Sequence, residues 1–249
     1  MQAFYEHVVE KLVDTGELSR SARLLVVCGG GLDRLVFEKL GFHDVTISNI
    51  GGAAGDPDAH APFHTASQDA EALSYTDGEF DVVVVHAGLH HCRSPHRALL
   101  EMYRVARHGV LVIEARDSWA MRQATRLGIA DDYEVSAVVA GNWTYGGVAN
   151  SPIPNYVYRW TEREVEKTLA SFNPEARQRV RFFYGLDLPF DYVESKRLLR
   201  ALAIPLRVLT WAAPKQGNCF GFWVTKPSYP DDLQPWLAIE HDQVVPKKS

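Results

Sequence analysis

Leu24-Leu25-Val26-Val27-Cys28-Gly29-Gly30-Gly31-Leu32-Asp33 decides the fold: an unbroken apolar run enters three glycines, and a helical pattern follows. An apolar run of this length suits a strand covered on both faces. Glycine lets the chain turn tightly into a helix whose first amides face a ligand. Upstream, Phe4 to Asp14 spaces apolar residues as a helix does, and Gly16 is its stop. Downstream, Asp44-Val45-Thr46-Ile47-Ser48 reads as a second strand and residues 63–67 as a third. Phe80-Asp81-Val82-Val83-Val84-Val85-His86 is the strongest strand, β-branched at its centre and bounded by Asp77-Gly78 and Ala87-Gly88. Ser94-Pro95 caps a helix running to about Arg107, and Gly109 to Glu114 is the next strand. Strands alternating with helices predict an α/β fold with a doubly wound, mainly parallel sheet that holds its ligand beyond the strands' carboxyl ends.

The second half is less regular. Residues 131–160 are rich in Tyr, Trp, Asn and Gly, as a pocket-covering lid would be, with Gly146-Gly147 as its hinge. Thr161-Glu162-Arg163-Glu164 is a capping box opening a helix to about Ser171. Arg181 to Tyr184 and Phe220 to Val224 are expected to pair antiparallel and close the sheet. The amphipathic insert 191–213 has a basic face; it reads as a packed helix, with a homodimer contact or a lipid-linked acceptor as alternatives. The proline-punctuated tail 227–249 is expected to be loosely ordered. The organisation is one domain over 1–226: a ligand-binding core (22–118), a lid (119–160), then helix, insert and closing strands (161–226).

Composition bounds the function. Among 249 residues, 46% are hydrophobic and 23% charged, enough apolar side chains for a sizeable core. A net charge of −5 with both signs interspersed excludes the basic surface that nucleic acid needs. Cys28, Cys92 and Cys219 make no disulfide framework, and no apolar stretch approaches a membrane span. A cytoplasmic protein with a small-molecule partner is expected.

Three blocks carry a family likeness: Gln68 to Tyr75, Phe80 to His91, and Arg97 to Arg107. Over residues 22–115 the chain resembles the class I S-adenosylmethionine-dependent methyltransferases, in their small-acceptor, type 11-like branch. The resemblance implies a Rossmann-like seven-stranded sheet with an antiparallel last strand, S-adenosylmethionine as cofactor, and methyl transfer to an oxygen or nitrogen. The acceptor it implies is a small metabolite, a sugar or glycan, or a secondary-metabolite intermediate. It also implies that the first block contacts adenine and the second leads into the site. The chain departs from the family twice: Val26 stands near the usual acid of the first strand, and Asn49 replaces the acid that ends the second. A neutral amide in place of a carboxylate weakens a hydroxyl contact by about 1 kcal/mol.

The candidate cofactor residues are Cys28, Gly29, Gly30 and Gly31 at the turn, Asp33 if the turn folds it back, and Asn49. To these are added Asp69, Ala70 and Glu71, with His86 and Ala87 at the mouth of the best strand. Asp69 can accept from a purine amine while the Ala70 amide donates to a ring nitrogen; the plain alternatives are a tight turn without ligand and a helix cap. His90 and His91, with Tyr156, are the candidates for deprotonating the acceptor, since a histidine of near-neutral pKa suits that task. Consecutive positions splay apart, so no metal site is assigned. Tyr145, Tyr158, Arg159 and Trp160 are placed on the acceptor side, where aromatics could enclose a sulfonium; packing of the lid is their alternative. Two rival functions stand beside methyl transfer: a methyltransferase-like protein that binds without methylating, and a nicotinamide-dependent oxidoreductase. The second is disfavoured because no acid ends the second strand.

Overall fold

The computed structural model describes residues 1–51, 56, 58–188, 205 and 207–247. β1 (Leu24–Val26), β2 (Val45–Asn49), β3 (His64–Ser67), β4 (Phe80–His86) and β5 (Ala106–Ala115) are parallel. β6 (Arg179–Gly185) and β7 (Cys219–Thr225) complete the sheet in the order β3-β2-β1-β4-β5-β7-β6. β7, the last of the seven along the chain, runs antiparallel between β5 and β6, as the sequence led us to expect.

Both faces are covered. Leu24, Val26, Val82, Val84, Leu111 and Ile113 pack against α1 (Gln2–Asp14) and α2 (Gly31–Lys39), meeting Tyr5, Val8, Leu12 and Phe37. Their alternates Leu25, Val83, Val85, Val110 and Val112 pack against α3 (Pro95–Val105) and a later helix, Glu162–Phe172, meeting Leu99, Met102, Val165 and Leu169. Period-two alternation between two buried faces explains why these strands read as unbroken apolar runs. Each such side chain, fully buried, contributes about 1.5–3 kcal/mol. Three capping side chains fix helix starts: Ser94 accepts from Arg97, Ser118 opens α4 (Trp119–Arg126), and Thr161 forms the anticipated capping box. The lid segment also contains α5 (Val135–Ala140), which makes Glu162–Phe172 α6.

Two expectations change. The tail is not loosely ordered: β8 (Leu237–Glu240) and β9 (Gln243–Pro246) form a hairpin. It is fastened because Leu233 is buried beside Ala176 and Asp232 pairs with Arg179 at 2.7 Å, so the prolines mark turns within an anchored segment. β1 stops at Val26 because Cys28 takes a left-handed φ of 51° and leaves the sheet. The packed-helix and homodimer readings of the 191–213 insert fall largely on residues outside those described. Among the described residues, no helix is long and apolar enough to cross a membrane.

Candidate active site

A cavity of about 300 Å³ lies beyond the carboxyl ends of the parallel strands. Cys28 follows β1, Asn49 ends β2, Gln68 to Glu71 follow β3, and Ala87 follows β4; all reach its wall. Cys28 and Ala87 both adopt left-handed φ, 51° and 48°, at a cost of about 1–2 kcal/mol each. These turns swing two adjacent strand ends apart and open the crevice. Gly88 between them must lack a side chain, since a Cβ there would stand 2.5 Å from Cys28 Cβ and 2.9 Å from Val85 Cγ2. From the lid, Tyr145, Gly146 and Gly147 form the opposite wall, and Asn150 Nδ2 donates to the Ile50 carbonyl at 3.0 Å. Close packing demands both lid glycines: Gly146 has φ +98°, and a Cβ on Gly147 would lie 1.8 Å from the Ile153 oxygen.

The expected cofactor residues divide sharply. Asp69 lines the cavity; its Oδ1 accepts from the Glu71 amide at 2.9 Å, and among the described residues Oδ2 has no hydrogen bond. Ala70 lies beside it. Glu71 lines the wall, but its oxygens accept from the Arg93 and Ser94 amides at 2.8 and 2.9 Å, tying the cavity to the start of α3. Asn49 lines the cavity and is oriented by two local bonds, Nδ2 donating to Gly29 O and Oδ1 accepting from the Ile50 amide, which leave one N–H and one lone pair for a ligand. Asp33 does fold back, yet onto the Gly30 amide (2.9 Å) and the Tyr5 hydroxyl (3.2 Å), away from the cavity. Burial raises its pKa to about 6. Gly29, Gly30 and Gly31 shape the turn without lining the cavity; a Cβ on Gly29 would meet Ile47 Cγ2 at 2.8 Å. The Cys28 thiol, hydrogen-bonded to Cys92 and partly buried, is held well above its ordinary pKa.

His86 is misplaced by the sequence reading. Alternation along β4 puts it on the side of Val82 and Val84, where it stacks on Tyr5 at 4.7 Å with planes 4° apart. Among the described residues its Nε2 has no hydrogen-bond partner, and burial lowers its pKa to about 4, so it is a neutral side chain packed on Tyr5 that does not line the cavity.

His90 and His91 occupy a 3₁₀ turn, Leu89–His91. His90 is buried with Nδ1 2.8 Å from Glu114 Oε2 and Nε2 3.3 Å from Glu134 Oε2. Burial opposes its charge, but the charge and hydrogen bond of Glu114, joined by Glu134, prevail and raise its pKa to about 10. An imidazolium at neutral pH is no general base, which removes His90 from that role. His91 lines the 300 Å³ cavity, and burial followed by repulsion from His90 lowers its pKa, keeping it neutral. The two rings do not splay: their centroids are 4.6 Å apart, and both Nε2 atoms lie 3.3 Å from Glu134 Oε2. Glu114 and Glu134 escaped the sequence reading. An acid closing the apolar strand Val110 to Ile113 was the available signal for Glu114; Glu134, in the irregular segment, left none.

Of the acceptor candidates, only Tyr145 reaches this cavity. Tyr156, Tyr158 and Arg159 line a separate surface hollow with Glu164. There Tyr158 donates to Glu164 at 2.6 Å, and Arg159 is held by Asp132 at 2.8 Å and by the Asp131 carbonyl. Trp160 is fully buried between His96, Tyr158 and Phe222, so it packs the core. A backbone bridge from Trp160 to Arg116, just beyond β5, holds this segment against the sheet, and none of the four lines the 300 Å³ cavity.

Comparison with known proteins agrees with this layout. The family described as "Methyltransferase domain" matches residues 24–113, which span β1 to β5. Residues 24–113 are thus similar to a methyltransferase domain. A search of curated proteins gave no match. Among solved structures, the chain is similar to magnesium protoporphyrin IX methyltransferase from Synechocystis PCC 6803, solved with bound SAH. The two are 14% identical, with 91% of this chain and 83% of that one covered and a TM-score of 0.52. It is also similar to a SAM-dependent methyltransferase from Archaeoglobus fulgidus, at 10% identity, 91% and 95% coverage and a TM-score of 0.53. The CurJ carbon methyltransferase matches at 14% identity, 92% and 54% coverage and a TM-score of 0.51.

Proposed function

We propose that the protein is a methyltransferase that binds S-adenosylmethionine in the 300 Å³ cavity and transfers its methyl group to an oxygen or nitrogen of a small acceptor. A small metabolite, a sugar or glycan, or a secondary-metabolite intermediate is the acceptor class. The observation that carries this reading is the cavity wall itself: Cys28, Asp69, Ala70 and Ala87 come together from three strand ends, with a carboxylate oxygen of Asp69 available to a ligand. Asp69 and the Ala70 amide would hold the nucleoside, and the left-handed turns at Cys28 and Ala87 make room for it. His91 and Tyr145 bound the methyl-bearing end, and Ala87 is shared with a neighbouring cavity of about 700 Å³ in which the acceptor would stand. Holding donor and acceptor in line and excluding water supply the acceleration, and the acceptor's proton leaves beside His91.

Calorimetric titration with S-adenosylhomocysteine tests the reading. Saturable one-to-one binding that Asp69→Ala weakens is expected; absence of binding to the intact protein would leave a methyltransferase-like protein that does not methylate.

A further inference from the structure

We propose that His90, His91 and Glu134 bind a single divalent transition-metal ion of the zinc class at the partition between the donor cavity and its neighbour. The three side chains offer ligand atoms that all lie within 4.8 Å of one another, and the ion takes the place of the proton on His90 Nε2, which binding releases to solvent. Each histidine Nε2 is 3.3 Å from Glu134 Oε2, close to the edge of about 3.4 Å that joins ligands in a tetrahedron with bonds near 2.1 Å. The 3₁₀ turn achieves this convergence by stacking the adjacent rings with planes 36° apart.

The surroundings match what a bound ion requires. A metal-bound imidazole is normally oriented through its other nitrogen by a carboxylate or a carbonyl. His90 Nδ1 is held by Glu114, which is fully buried and fixed in turn by the Leu89 amide at 2.7 Å. His91 is hydrogen-bonded to the Gly147 backbone. Asn155, 1% exposed, donates to Glu134 at 3.3 Å while its buried Oδ1 has no partner among the described residues, leaving a spare oxygen beside the cluster. Among the described residues, no Lys or Arg forms an ion pair with Glu114 or Glu134. Two imidazoles and one carboxylate favour Zn²⁺, Co²⁺ or Ni²⁺ over Mg²⁺ and Ca²⁺, which prefer all-oxygen shells.

The position gives the ion a task, and this part rests on the methyl-transfer reading. His91 faces the donor cavity, whereas His90 and Glu134 face the larger one. A hydroxyl acceptor bound to the ion is acidified and releases its proton to solvent. The oxygen lone pair forms the C–O bond, and the C–S pair stays on sulfur, which becomes a neutral thioether. The His91 lone pair then serves the ion and need not take the proton itself.

The test uses the intact protein, stripped with chelator and titrated with Zn²⁺ and Co²⁺. Elemental analysis should find about one ion per chain, and Co²⁺ should give the intense visible bands of a low-coordinate site. Glu134→Gln and His91→Ala should each abolish these bands, and Glu114→Gln should weaken affinity about 10–100-fold, with folding verified by circular dichroism. Mg²⁺ should not compete. No stoichiometric ion in the intact protein, or equal binding by the folded variants, overturns the proposal. S-adenosylhomocysteine titration of the same samples separates the two readings: binding of that ligand without metal refutes the ion alone, and metal without that ligand refutes the donor site alone.

Discussion

Glu114→Ala removes a carboxylate that is fully buried at the end of β5 and holds two groups at once, the Leu89 amide at 2.7 Å and His90 Nδ1 at 2.8 Å. Leu89 is itself fully buried and His90 nearly so, and water reaches the abandoned donors poorly. Breaking a buried pair from one side costs about 3–5 kcal/mol. For a chain of this length that is a fall in melting temperature of about 6–20 °C. Glu114→Gln keeps an oxygen for the Leu89 amide and loses only the charge, so its fall should be about 1–2 kcal/mol, or 2–8 °C. Differential scanning calorimetry at neutral pH measures both. A fall for Glu114→Ala no larger than that for Glu114→Gln would show that the buried carboxylate does not fasten the 3₁₀ turn, and the account of His90 would go with it.

Asp69→Ala should weaken S-adenosylhomocysteine by about 1.5–3 kcal/mol, roughly 10–150-fold by calorimetry, because a charged acceptor is lost. Gly88→Ala should destabilise by about 1–3 kcal/mol in denaturant unfolding, since its Cβ would lie 2.5 Å from Cys28 Cβ, and should weaken the same ligand. His86→Phe should raise the melting temperature more at pH 5 than at pH 8. Folding depresses the pKa of His86 from 6.5 to about 4, so its contribution is complete above 6.5 and lost as pH falls toward 4. Phe keeps the stack on Tyr5 without the buried nitrogen, and Asp33, which also titrates in this window, is common to both proteins; equal gains at the two pH values would contradict the assignment. In the metal-stripped protein His90 has the opposite sign: its contribution is complete below 6.5 and lost as pH rises through about 10, so stability should decline across that alkaline range less steeply in His90→Gln than in the parent.

Local chemistry alone specified the sheet and its order of elements. The apolar run Val82 to Val85 marks a strand buried on both faces, as in a helix-covered sheet, and the Ser94-Pro95 and Thr161 caps mark helix starts through contacts within one turn. That Asp69 and Ala70 would stand at the cavity mouth was legible because they lie within three residues of a strand end. Tertiary structure decided whatever depends on which way a side chain faces. Alternation along β4 turned His86 toward Tyr5; Tyr156, Tyr158 and Arg159 line a hollow separate from the cavity. The convergence of His90, His91 and Glu134 joins residues 44 positions apart, through a turn whose ring directions no spacing rule encodes. Sequence patterns record burial and local capping, which act over a few residues; a site is assembled by distances between strand ends and loops, which exist only once the sheet has formed.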